Sequence, residues 1–94
     1  MNAAEAVEAI FVVKSELGLH ARPAGRFVSL ASGFVAEIRV ARGEEWVSGK
    51  SVLSLLSLAA GPGTALQVRA EGVDARAAVE ALGRLLEEPE EANV

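Results

Sequence analysis

The chain has no cysteine, which rules out disulfides and thiolate metal sites. Histidine occurs once, as His20, so no cluster of imidazole and thiolate ligands can be assembled, and neither a metal nor another cofactor is expected. Aromatic residues make up only 4% of the chain, too few to interleave along strands as base-stacking platforms. Cations are also scarce. Nine stand against 13 acidic residues, for a net charge of −4, and seven of the nine are arginines scattered along the sequence. A nucleic-acid partner is therefore not expected. No stretch nears the roughly 18 apolar residues of a membrane span, and the start lacks the basic residues and long apolar run of a secretion signal. No membrane insertion and a cytoplasmic location are the expectations.

What is present is a core. Apolar residues supply 51% of a chain of 94, enough for one hydrophobic interior but not two. One domain is expected over residues 1–94, with its core at about residues 8–88. A short N-terminal extension precedes it. An acidic C-terminal tail follows the last basic residue, Arg84: Glu87, Glu88, Glu90 and Glu91 are expected in solvent, with Pro89 stopping the preceding helix.

Residues 9–14 (AIFVVK) read as a strand. Residues 21–32 read as a helix, with Ala24, Phe27, Val28 and Ala31 on one stripe and Gly33 just past its end. Residues 35–40 alternate imperfectly as a second strand. The turn at Arg42, Gly43, Glu44 and Glu45 joins it to a third strand at residues 46–48, where Trp46 fits a sheet edge better than a recognition site. A second helix starts behind Ser51 as N-cap and ends at Gly61-Pro62-Gly63. Five of the seven residues 52–58 are large and apolar (Val52, Leu53, Leu55, Leu56 and Leu58). They cannot share one stripe, so some must be exposed as an interface. Residues 64–71 alternate most cleanly of all. Asp74 is placed to cap a last helix with Ala75, Ala78, Val79, Leu82, Leu85 and Leu86 on its apolar face, interrupted by Gly83 at a cost of about 1 kcal/mol relative to alanine. The fold class is α+β: a two-layer open-faced sandwich in the order β-α-β-β-α-β-α, its four-stranded antiparallel sheet covered on one face by three helices, with the crossovers of a split βαβ unit.

His20 sits in Gly18-Leu19-His20-Ala21-Arg22-Pro23-Ala24. A lone histidine near a helix start is ordinarily a surface residue. Here its surroundings describe a phosphate site. Proline tolerates the first helical turn, the N–H groups and dipole there attract anions, and Arg22 adds a planar fork matched to phosphate oxygens. A neutral imidazole at that mouth can carry phosphate covalently as well as bind it.

These residues resemble the HPr phosphocarrier family of the bacterial phosphoenolpyruvate-dependent sugar phosphotransferase system, over about residues 10–88. Gly18–Ala24 is similar to the family's active-site motif, and residues 49–55 (GKSVLSL) are similar to its regulatory-site motif. The resemblance implies that His20 accepts a phosphoryl group on Nδ1, that Arg22 stabilises it, and that Ser51 is phosphorylated by a dedicated kinase. Arg26, Lys50, Val52, Leu53 and Leu56 are then the partner-binding residues, with the start of the second helix beside the His20 loop. The implied partners are an enzyme I-like donor, sugar-specific enzyme II A-type acceptors, an HPr kinase/phosphorylase and a transcription regulator. They would be met by a monomer that is a carrier rather than a self-sufficient catalyst. Where family members carry lysines along the first helix, this sequence has Ser29 and Ser32, with Arg26 supplying part of the charge. The alternatives are a regulatory module controlled through Ser51, a nitrogen-regulatory paralogue of the same relay and, more distantly, a small RNA-binding domain.

Overall fold

A computed structural model describes residues 5–89. Along the chain run β1 (Ala6–Val12), α1 (Ala21–Ala31), β2 (Glu37–Arg42), β3 (Glu45–Ser48), α2 (Val52–Ser57), β4 (Ala65–Glu71) and α3 (Ala75–Glu87). The strands form one sheet in the order β1-β4-β2-β3, with every neighbouring pair antiparallel. β4 thus lies between β1 and β2, the arrangement expected of a split βαβ unit.

Strand alternation sorts the side chains into two faces. Ala9, Val68, Val40 and Val47 stand opposite one another in register and face the helices. One residue along, Ile10, Gln67, Ala41 and Trp46 form the matching row on the open face. Ile10 accordingly remains 64% exposed, and Trp46 on the edge strand 37%. Phe27 of α1, Leu55 of α2 and Leu82 of α3 drop into the core above Ile38, Val40, Leu66 and Val68, all fully or almost fully buried. Among the described residues no helix is long and apolar enough to cross a membrane.

The differences from the sequence reading trace to particular contacts. β1 begins at Ala6, so Ala6 and Val7 of the expected extension pair with Glu71 and Ala70. Residues 1–4 and 90–94, with Glu90 and Glu91 of the acidic tail, lie outside the described residues. Glu87 does more than hydrate: its Oε2 accepts the N–H of Val12 at 3.0 Å, fastening the end of α3 to β1. β2 starts two residues later than expected, leaving Val35 79% exposed, and extends through Arg42. Asp74 occupies the N-cap position of α3 but does not cap it. Its carboxylate instead accepts the N–H groups of Val35 and Ala36, both at 2.8 Å, because the loop before β2 offers two main-chain donors outside the sheet. Gly83 is needed for packing: a Cβ there would overlap ring carbons of Phe11.

Candidate functional site

The loop between β1 and α1 is held from two sides. Lys14 donates its N–H to the carbonyl of Leu86 near the end of α3 (3.1 Å), and buried Leu19 donates to the carbonyl of Ala60 (2.8 Å). Between them Gly18 adopts φ +79°, and a Cβ on it would stand 2.5 Å from the Ala60 oxygen and 2.8 Å from Cα of Gly61. Only glycine satisfies both the turn and the close approach. Behind the loop a cavity of about 20 Å³, room for one water, is lined by Ser15, Gly18, Pro23 and Arg26 and bounded by Leu86 and Glu88 of the α3 end.

That turn delivers His20 to the N-cap of α1 with extended backbone (φ −91°, ψ −170°). Its carbonyl starts the helix by accepting the N–H of Ala24 (2.9 Å), while the half-buried imidazole makes no capping bond. The ring therefore stands at the positive end of the α1 dipole. The first turn carries no acidic residue. Pro23 is buried in that turn, where its lack of an N–H has no cost. Arg22 and Arg26 are both exposed and four positions apart, so they share one face of α1.

Ser51 caps α2 as expected: its Oγ accepts the N–H of Ser54 at 3.2 Å. Lys50 is exposed, with its ammonium donating to the carbonyl of Phe34 at 3.0 Å, so it also ties the start of α2 to the loop before β2. The crowded apolar residues divide as geometry requires. Leu55 and Leu58 are buried, Val52 and Leu56 are half-buried, and Leu53 is 80% exposed.

The loop is bonded to Ala60 and packed on Gly61, past the C-terminal end of α2. Contrary to the sequence reading, α2 does not run to Gly61: it ends at Ser57, with Leu58 as C-cap. Ala59 then takes φ +51°, in the left-handed region that costs a non-glycine residue roughly 1–2 kcal/mol. Nη1 of Arg42 donates to the carbonyls of Leu58 (3.0 Å) and Ala59 (2.8 Å), drawing them away from helical geometry. The sequence reading missed Arg42, Ala59 and Ala60. The alanine pair ahead of Gly-Pro-Gly was the only local sign of a special turn. Among the described residues no group of three or more His, Cys, Asp or Glu is arranged to hold a metal ion.

Residues 7–88 match the family profile described as the PTS HPr component phosphorylation site. The phosphocarrier protein NPr of Shewanella violacea is 44% identical over 73 residues, covering 78% of this chain and 80% of that protein. The multiphosphoryl transfer protein of Haemophilus influenzae is 37% identical over 87 residues, which are 89% of this chain but only 17% of that longer protein. Among solved structures, the phosphocarrier protein HPr of Bacillus anthracis superposes with a TM-score of 0.84 at 36% identity, covering 87% of this chain and 98% of that one.

Proposed function

The chain belongs to the PTS HPr family, and from that premise we propose that it relays a phosphoryl group on His20 from a phosphoenolpyruvate-dependent, enzyme I-like donor to acceptor proteins. The observation that carries this reading is the imidazole at the extended N-cap of α1, at the positive end of the helix dipole, with two arginines following on one exposed face. In the transfer, Nδ1 of the neutral ring attacks phosphorus. The new N–P bond forms as the donor's bond to phosphorus breaks, and the donor atom keeps that electron pair. Arg22 and Arg26, together with the α1 dipole, then face the dianionic group. Their exposure keeps this stabilisation modest, which suits a group that must leave again.

Sugar-specific enzyme II A-type proteins are the acceptors this reading assigns. Leu53, with Val52 and Leu56 beside it, supplies an apolar docking area, and Lys50 adds a cation at its border. Ser51, at the N-cap of α2, is the residue for regulatory phosphorylation by a kinase/phosphorylase, through which a transcription regulator would be addressed. On this reading the carrier works in the cytoplasm and as a monomer. A relay serving nitrogen regulation is supported by the similarity to NPr and differs only in its acceptors.

The test is phosphorylation by enzyme I and labelled phosphoenolpyruvate. Wild-type protein is expected to take up acid-labile, base-stable label, and His20→Ala none while keeping its melting temperature. Undiminished label on His20→Ala would overturn the assignment.

A further inference from the structure

Resting on that carrier reading, we infer that Arg42, which closes β2, is a positioning residue for His20. The path between them is short. Nη1 of Arg42 holds the carbonyls of Leu58 and Ala59 at 3.0 and 2.8 Å. These oxygens lie at the end of α2, where carbonyls have no intrahelical donor and a cation is favoured. The next residue, Ala60, accepts the N–H of Leu19 at 2.8 Å, and Leu19 precedes His20. Gly61 backs directly onto Gly18.

The segment between Arg42 and the loop is not relaxed. Ala59 is the one non-glycine residue with positive φ among the described residues, and such backbone persists only where its surroundings over-determine it. Both carbonyls that Arg42 grips flank this strained residue. Without the guanidinium, Ala59 can leave the left-handed region and rotate the peptide that leads to Ala60. Leu58 and Ala60 are buried to within 2% and 5%, so the segment cannot travel far and the fold survives. The Ala60 oxygen nevertheless moves, and Leu19 and the backbone that aims the imidazole move with it. An in-line transfer is sensitive to displacements of that size, whereas docking through α1 and α2 is not.

The experiment compares Arg42→Met, Arg42→Lys and a control, Val68→Ala, which opens a cavity at the centre of the sheet away from the loop. Arg42→Met is expected to lower kcat for phosphoryl acceptance about tenfold with little change in KM for the donor. The Leu19 amide should exchange faster with solvent, and the His20 ring resonances should shift. Arg42→Lys, whose ammonium can still donate to a carbonyl, should recover to within about threefold of wild type. Val68→Ala should melt earlier yet transfer normally below its transition. Wild-type kcat in Arg42→Met, or an equal loss of kcat in Val68→Ala, would overturn the inference. If wild-type protein accepts no phosphoryl group, the carrier reading fails by itself. Leu19 exchange and the His20 resonances then decide the positioning alone: unchanged in Arg42→Met, they overturn it.

Discussion

A carboxylate that accepts two main-chain N–H groups makes a fastening that acid can undo. The bond from Val35 is the largest influence on Asp74, and those from Ala36 and its own backbone, with the charge of Lys50, also hold its carboxyl below the usual range, while partial burial works the other way. Because the folded-state pKa lies below the unfolded value of about 3.9, the stabilisation is fully present above that value and is lost as pH falls through the folded pKa. Asp74→Asn should therefore melt below wild type at neutral pH, with the gap narrowing once pH drops under about 4; thermal unfolding at pH 7 and pH 3 checks this. The sequence marked Asp74 correctly as the residue ahead of α3. It could not show the two N–H groups of Val35 and Ala36, which come from 38 and 39 positions earlier and outcompete the local cap.

At the scale of elements, what could be read depended on how far the deciding contacts reach. β4 and the stripes of α1 and α3 depend on spacing within each segment, and they were legible. The end of α2 depends on Arg42, across the hairpin, and was not. His20, Arg22 and Ser51 stand out by type and local pattern. Their mutual placement, with the His20 loop held on Ala60 and Gly61, is tertiary information. Gly83 is a case in which a propensity rule points the wrong way. Alanine should gain about 1 kcal/mol in an open helix, but here its methyl group would overlap the Phe11 ring. Gly83→Ala is expected to destabilise the protein by about 1–3 kcal/mol, measured by denaturant unfolding. At α2, Ser51→Ala should lose about 1 kcal/mol from the missing cap and keep transfer. Ser51→Asp should keep the cap and slow phosphorylation of His20, since a charge beside Leu53 must be desolvated against the donor. Donor kinetics and melting curves of both variants check this, and equal rates for Ser51→Asp and wild type would reduce Ser51 to a helix cap.

For the molecule as a whole, the placement of charge separates stability from encounter. The open sheet face carries the ion pairs Arg69–Glu8 at 3.5 Å and Arg39–Glu37 at 3.0 Å, both well exposed, and such pairs contribute little in salt. Arg22 and Arg26 stand out against a net charge of −4, and in the proposed relay they act over distance on an approaching donor. Raising ionic strength from about 0.05 to 0.5 M, across the range where the Debye length falls well below 10 Å, should cut kcat/KM for the donor severalfold. The melting temperature should move by no more than a few degrees. Stopped-flow transfer and calorimetry over the same salt series measure the two effects.

The insertion of β4 between β1 and β2 has a consequence in time. Until Ala65 has left the ribosome, β1 has no neighbour and the only pairing available is the β2–β3 hairpin. The strand made last is thus the one that joins the two halves of the sheet, and a nascent chain stopped before it holds a hairpin and exposed apolar helices. Tertiary structure must therefore arrive in one late step rather than grow from the N-terminus.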